Sequence, residues 1–415
     1  MVLNYIWVFF FIIAFVVAIA KVALFLAGHS EFGGSEIFSV LLNAAFDAAD
    51  LAVMKIALPL VGIMTLWLGL MKIGENAGAI QWLGKIVHPF FSRLFPEIPK
   101  DHPAHGNIIL NFSANALGLA NAATPLGLKA MQSLQELNPS KETASNSQIM
   151  FLVLNTAGFT LFPITIMVQR KILGAADSSD IFIPLLIVTY CSTLIGIIYT
   201  GIRQKINLFD KVLFGWITGI TLLLAGIVWY VSTLSPDQIK FRSSFAGNLL
   251  MFGIIVAFLI AGLRKKINVF DSFIDGAKTG FETSVKIIPY LVAMLCGIAV
   301  FRASGALDFI LHGFVYLFHI PQEVADALPT AFMKPFSGSG ARGMMIETMV
   351  KHGADSFQGK LSCLFQGAAD TTFYIVALYF GSVGIKKTRY AIAGGLVADL
   401  AGVVAAVLMA YFFFR

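Results

Sequence analysis

Charge is scarce in this chain. Of its 415 residues only 13% are Asp, Glu, Lys or Arg, about half the ~25% carried by soluble domains. With 58% hydrophobic residues and a mean hydropathy of +0.82, that shortage excludes an ordinary soluble protein. Cysteine is scarce as well. Cys191, Cys296 and Cys363 stand singly inside apolar segments, which excludes a disulfide framework and a CxxC metal site. The chain also lacks a P-loop, an HExxH, a GxSxG and any polar stretch long enough for an ATP-hydrolysing domain. It is therefore not expected to be an enzyme, and any transport must be passive or coupled to an ion gradient. The charge that remains leans basic, 29 Lys and Arg against 23 Asp and Glu, for a net +6. In a soluble chain that excess would suggest nucleic acid. Here it marks cytoplasmic loops, and no nucleic-acid partner is expected.

Several apolar runs exceed the ~18 residues that a bilayer crossing requires. Nine crossings are expected, over 3–27, 54–72, 147–170, 181–203, 211–232, 245–263, 284–302, 357–381 and 390–413. The first has no basic leader and no small-residue cleavage site after it, so a retained helix is expected rather than a signal peptide. Segments 105–134 and 328–350 are apolar but broken by Gly, Pro, Ser and Asn. Amphipathic stretches at 78–95 and 306–318 precede them and are expected to lie along the interface. If both broken segments enter the membrane and return, the basic clusters at 203–211, 264–266 and 386–389 fall on the side of the N-terminus, which makes that side cytoplasmic. If the first broken segment crossed instead, the clusters at 203–211 and 264–266 would face outward. The re-entrant reading is preferred.

The two halves echo each other. Lys55-Ile-Ala-Leu-Pro59 resembles Lys286-Ile-Ile-Pro289, Gly78-Ala-Ile80 resembles Gly305-Ala-Leu307, and Phe112-Ser-Ala-Asn115 resembles Phe336-Ser-Gly-Ser339. Asn155 and Thr160-Leu-Phe162 likewise resemble Gln366 and Thr371-Thr-Phe373. Each match is short, but order and spacing are kept. Helix 211–232 has no counterpart in either half. Each half has four crossings, so this extra one turns the second half over, the inverted-repeat plan of many secondary transporters. Lys205-Ile-Asn-Leu-Phe-Asp210 nearly repeats as Lys266-Ile-Asn-Val-Phe-Asp271, two crossings apart and so on one face. The expected division is a repeat over 1–205, a linker over 206–243 that holds the adaptor helix 211–232, and a repeat over 244–415.

Longer motifs carry a family resemblance. Lys334-Pro-Phe-Ser-Gly-Ser-Gly-Ala-Arg342, Phe365-Gln-Gly-Ala-Ala-Asp-Thr-Thr-Phe-Tyr374 and the run from Ala377 to Arg389 resemble spore maturation protein B. Asn4-Tyr-Ile-Trp7 and the run from Asn111 to Gly127 resemble spore maturation protein A. The chain thus looks like a natural fusion of the two. The resemblance implies a nucleoside-recognition or gate domain, and with it kinship to concentrative nucleoside transporters and to the membrane part of ferrous iron transporters. Those relatives pair re-entrant hairpins with interrupted helices. The fold expected is accordingly an all-α polytopic membrane protein of two inverted repeats. Each repeat has an interfacial helix, a re-entrant hairpin and an interrupted transmembrane helix, with about nine full crossings in all and a cytoplasmic N-terminus.

The breaks are the candidate sites. Backbone at membrane depth must bond within the protein or line a wet cavity, and half-helix N-termini offer N–H groups and a positive dipole end to a polar or anionic ligand. Substrate-binding candidates are Asn111, Ser113, Asn115, Asn155 and Thr156 from the first half, with Asn121 close by. From the second half they are Ser337, Gly338, Ser339, Gln366 and Thr372. The bland alternative is that small polar residues let helices pack closely. Asp370 lies in an apolar span, where a carboxylate is costly and functional by default. With Thr371 it is the candidate for coupling Na+ or H+, and a structural ion pair to Lys334 or Arg342 is the alternative. Glu347 is expected to pair elsewhere than with Arg342, and Asp399 suits packing as well as transport. Gly338 to Gly343 matches GxGxxG formally, but without a βαβ context it is a hairpin tip rather than a dinucleotide site. His102 and His105 form an HxxH pair that is expected to be solvated rather than metal-bound. No metal and no cofactor is expected beyond the coupling ion.

The leading expectation is a secondary transporter in the bacterial inner membrane, carrying a small polar, nucleoside-like solute. The alternative is a membrane component that does not transport and assists envelope, cell-wall or spore maturation. An iron-type channel is disfavoured, because the membrane segments hold no Cys/His cluster. The expected partners are the lipid bilayer and the solute, and a homo-oligomer is left open.

Overall fold

The computed structural model describes residues 2–28 and 36–415. The described residues form nineteen α-helices, of which the first half holds α1 (Val2–Leu26), α2 (Ile37–Asp50), α3 (Leu58–Asn76), α4 (Ala79–Leu94), α5 (Pro103–Ala116), α6 (Ala120–Glu136), α7 (Asn146–Ala157), α8 (Ile164–Ile172) and α9 (Phe182–Gln204). After them come α10 (Lys211–Ser232), α11 (Pro236–Arg264), α12 (Val269–Ala303), α13 (Ala306–Phe318), α14 (Gln322–Ala325), α15 (Leu328–Met333), α16 (Gly338–His352), α17 (Phe357–Gly367), α18 (Thr372–Ser382) and α19 (Ala391–Phe414). The described residues form no strand, only one isolated bridge between Thr143 and Lys387. Eight helical segments are long and apolar enough to cross a membrane.

Eight of the nine expected crossings match these segments. The ninth, 147–170, is not one helix: α7 stops at Gly158, whose φ of 62° is left-handed, and α8 starts only after Pro163. The second half has the same kind of break, where residues 368–371 separate α17 from α18. Each of those helices has 11 residues, about 16 Å at 1.5 Å per residue. In a hydrocarbon core ~30 Å thick the break therefore falls near the middle.

Two helices outrun the expected limits. A π-turn over Leu51–Ala57 joins α2 to α3, giving an uninterrupted 40-residue segment Ile37–Asn76, and α12 runs for 35 residues. The two lie antiparallel. Cys296 Sγ meets the Ala45 carbonyl at 3.3 Å at one end, and Asn76 donates to Ser272 Oγ at 3.0 Å at the other. Small residues set their separation. A Cβ on Gly276 would stand 2.3 Å from the Leu68 carbonyl oxygen, and one on Gly280 would stand 2.6 Å from that of Met64. The backbones touch there, as in close-packed membrane helices.

The helices α4 and α13 coincide with the two expected amphipathic stretches. Each begins at a left-handed glycine, Gly78 at φ 85° and Gly305 at φ 86°. Around the molecule many large side chains face outward, among them Leu222, Leu223, Trp229, Phe252 and Tyr316. That surface is at home in lipid and not in water.

Two clasps tie the chain's halves. The backbone N–H groups of Lys386 and Lys387 both donate to the Glu142 carbonyl at 2.9 Å, and Ala144 N–H returns a bond to Lys387 O at 3.0 Å. This joins the loop after α18 to the loop before α7. The other clasp joins the region after α8 to the loop before α17. Its centre is Arg170, fully buried, which donates to the carbonyls of Ala354 and Asp177, to Asp180 at 2.8 Å and to Asp355 at 3.0 Å. Lys360 completes the cluster at 2.8 Å from Asp180.

Candidate functional site

Two helix pairs end at the breaks. The first is α5 and α6, whose turn is closed by Leu119 N–H on the Ala114 carbonyl at 2.8 Å. The second is α15 and α16, where Ser337 caps α16 by accepting Gly340 N–H at 3.0 Å. Each tip is bonded to the broken helix of its own half. Leu161 N–H donates to the Ala116 carbonyl at 2.8 Å, and Phe373 N–H to the Pro335 carbonyl at 3.0 Å. The two breaks are bonded to each other, with Asp370 N–H on the Thr156 carbonyl at 2.7 Å. The backbone polar groups released by the interruptions thus find partners at one place.

A cavity of about 220 Å³ opens at this junction, and its wall includes Asn115, Asn155, Lys334, Arg342, Gln366 and Asp370. The two asparagines touch, Asn115 Nδ2 donating to Asn155 Oδ1 at 3.0 Å, and Tyr379 reaches the same oxygen at 3.4 Å. Gln366 donates to the Gly338 carbonyl at 3.4 Å and leaves its own Oε1 buried without a partner.

Asp370 is exposed to the cavity. One carboxylate oxygen accepts Thr371 N–H at 2.7 Å, directly at the N-terminus of α18, whose positive dipole end favours the charge. The alternative role for Asp370, an ion pair with Lys334 or Arg342, is absent among the described residues. Neither cation contacts a carboxylate within 4.0 Å or gives a side-chain hydrogen bond among the described residues, although the charge of Asp370 acts on both. Lys334 is only 9% exposed. A cation removed from water is costly unless it is paired, so two without contacts on one wall favour negative charge in the cavity.

The remaining candidates sit behind this wall. Asn111 donates across the α5–α6 pair to the Ala123 carbonyl at 2.8 Å, and Ser113 is wholly buried with no hydrogen-bond partner. Thr156 turns its hydroxyl onto the Val153 carbonyl at 2.9 Å. Ser337 and Ser339 pair with each other at 3.2 Å. Thr372 donates to Asp399 at 2.7 Å, giving that carboxylate a partner inside the helix packing. A Cβ on Gly338 would meet the Thr371 hydroxyl at 2.8 Å, so both lie in a close contact. The side chain of Asn121 falls outside the described residues.

Other expectations divide. Glu347 pairs with Arg302 at 2.5 Å instead of with Arg342. His105 is not solvated: it is 7% exposed, with one ring nitrogen on the Ile98 carbonyl at 3.2 Å, because α5 already begins at Pro103. His102 is the N-cap of α5, accepting Ala104 N–H at 3.2 Å. Among the described residues no group of three or more His, Cys, Asp or Glu is arranged for a metal ion. Thr160, which the sequence grouped with Asn155 and Thr156, is also in the wall, whereas the sequence reading missed wall residues Thr165 and Thr189. Thr165 lies in the first turn of α8, just past the break, and was within reach of that argument, whereas Thr189 lies inside an unbroken helix and carries no local signal.

Eight apolar segments of crossing length around a polar cavity define a multi-pass membrane protein. The profile of the nucleoside-recognition (gate) family matches residues 57–173 and 284–386, just over half of the chain. Spore maturation protein B of Bacillus subtilis (strain 168) is 45% identical over 163 residues, 39% of this chain and 92% of that protein. Spore maturation protein A of the same organism is 42% identical over 166 residues, 39% of this chain and 84% of that protein. The chain belongs to the spore maturation protein A and B family as a fusion of the two, with the nucleoside-recognition domain in both parts.

Proposed function

We propose that the protein is a secondary transporter of a small polar solute, held in the cavity between the two hairpin tips and the two helix breaks. The observation that carries this reading is the wall itself. Residues from both halves bring a carboxylate without an ion pair, two cations and three amides to one open space at the helix breaks. A component with a purely mechanical role would gain more from dry, apolar packing at that junction. Asp370 takes the role of coupling-ion ligand for Na+ or H+, assisted by Thr371. Asn115, Asn155 and Gln366 serve as solute contacts.

The architecture fits alternating access. The paired clasps, paired glycine starts of α4 and α13, and antiparallel α2–α3 and α12 support two inverted repeats over 1–205 and 244–415, joined through α10. On that plan α5–α6 and α15–α16 are re-entrant hairpins. The N-terminus faces the cytoplasm and the membrane is the bacterial inner membrane. The family's nucleoside-recognition description makes nucleosides the first solutes to try. The relatives' names favour a second reading, a non-transporting component of spore or envelope maturation.

The test is thermal stabilisation of the purified protein by nucleosides, nucleobases, amino acids and small carboxylates, with and without Na+ and across pH. A ligand that binds the native state raises the melting temperature with occupancy. The expected result is a solute whose effect depends on Na+ or pH in the parent and loses that dependence in Asp370→Asn. No stabilisation by any solute, together with Asp370→Asn and Asn155→Ala melting well below the parent, would make these residues structural and favour the second reading.

A further inference from the structure

The charges on the cavity wall say more than that the solute is polar. Asp370 is already served: Thr371 N–H at 2.7 Å and the N-terminus of α18 hold its charge. Lys334 and Arg342 feel the charge of Asp370 but make no ion pair within 4.0 Å and no side-chain hydrogen bond among the described residues. Asp399 is the next carboxylate. It is 6% exposed, accepts the Thr372 hydroxyl behind the wall, and does not line the cavity. Its charge reaches Lys334 but is not among those that act on Arg342. Arg342 is thus the least compensated charge in the site, and its planar fork suits a two-oxygen acceptor. The amides opposite, Asn115 and Asn155, are locked to each other, so they position the solute and do not neutralise it.

We propose that the transported solute carries an anionic group, a carboxylate or phosphate, which binds between Arg342 and Lys334 while its neutral portion faces Asn115 and Asn155. This rests on the transporter reading and narrows it. A neutral nucleoside leaves both cations without partners in a low-dielectric site. An anionic group supplies the missing contact, and a cation bound at Asp370 offsets part of the charge that moves.

Matched probes test this in the full chain in lipid nanodiscs: a nucleoside against its 5′-monophosphate, and a small monocarboxylate against its amide, with inorganic phosphate alone as a further arm. Thermal stabilisation is expected from the anionic member of at least one pair and not from its neutral partner. The pair that responds separates phosphate from carboxylate chemistry. Arg342→Gln should weaken apparent affinity by ten-fold or more, and Arg342→Lys should recover part of it. Unliganded melting temperatures of both variants report whether they fold. Equal stabilisation by the neutral and anionic members, or a response to the neutral members only, overturns the anion assignment and leaves the transporter reading standing. No response to any member, with a folded parent, overturns both. An anion response that Arg342→Gln leaves unchanged places binding elsewhere and overturns the assignment of this site.

Discussion

Replacing Arg170 by Met removes the centre of the clasp between α8 and the loop before α17 while keeping most of the side-chain stem. The guanidinium is fully buried and serves four acceptors, two carbonyls and the carboxylates of Asp180 and Asp355. These acceptors are unequal. The Asp180 side chain is 5% exposed and that of Asp355 is 45% exposed. Breaking a buried ion pair by deleting one partner costs about 3–5 kcal/mol, whereas an exposed pair is worth about 0–1 kcal/mol. Lys360, 2.8 Å from Asp180, keeps that carboxylate from being stranded, which sets Arg170→Met toward the lower end of about 3–5 kcal/mol. Asp355→Ala should cost about 1 kcal/mol or less. Equilibrium unfolding in mixed micelles with rising SDS measures both, and double-mutant cycles give the couplings. Arg170 should couple more strongly to Asp180 than to Asp355. A loss below about 1 kcal/mol for Arg170→Met, or equal losses for Arg170→Met and Asp355→Ala, would refute the assignment of this clasp as a buried, energetically dominant contact.

Three further outcomes are expected. Gly276→Ala places a methyl against the Leu68 carbonyl and should destabilise by roughly 1–3 kcal/mol through overpacking. Gly253→Ala, with nothing within 4 Å, should be neutral or stabilising in the same unfolding assay. Thr372→Val deprives Asp399 of its hydroxyl donor and should cost about 1–3 kcal/mol, with Thr372→Ser restoring most of it. Asp177, in the loop between α8 and α9, is subject to burial that raises its pKa. Hydrogen bonds from Ser179 and Ser244 and the charge of Arg170 outweigh that burial and hold it below the usual carboxylate range. A lowered folded-state value stabilises above the ordinary aspartate value of about 3.9, and that contribution is lost as the pH falls below it. Melting curves of the parent should therefore drop more steeply below about pH 4 than those of Asp177→Asn.

Much of the fold was legible because its signals are local. Bilayer-length apolar runs, the amphipathic stretches 78–95 and 306–318 and the Gly, Pro, Ser and Asn breaks depend on neighbouring residues alone. So does the adaptor helix, which the sequence and the structure bound alike at 211–232. The extensions over 37–53 and 269–283 were missed because Asp47, Asp50, Asp271, Asp275 and Glu282 dilute their hydropathy. Packing against the opposite long helix covers those stretches.

The site divides along the same line. Composition marked Asn115, Asn155, Lys334, Arg342, Gln366 and Asp370 as polar residues at costly depth, and all six line the cavity. The same signal marked Ser113, Thr156 and Thr372, which the fold buries in packing. A residue's type fixes the cost of placing it in a membrane, so the sequence by itself determined which side chains needed a partner. Where two distant backbones meet fixes which partner each one reaches. The tertiary structure alone therefore decided that Glu347 pairs with Arg302, that Asp370 rests on the start of α18, and that Lys334 and Arg342 face an open space.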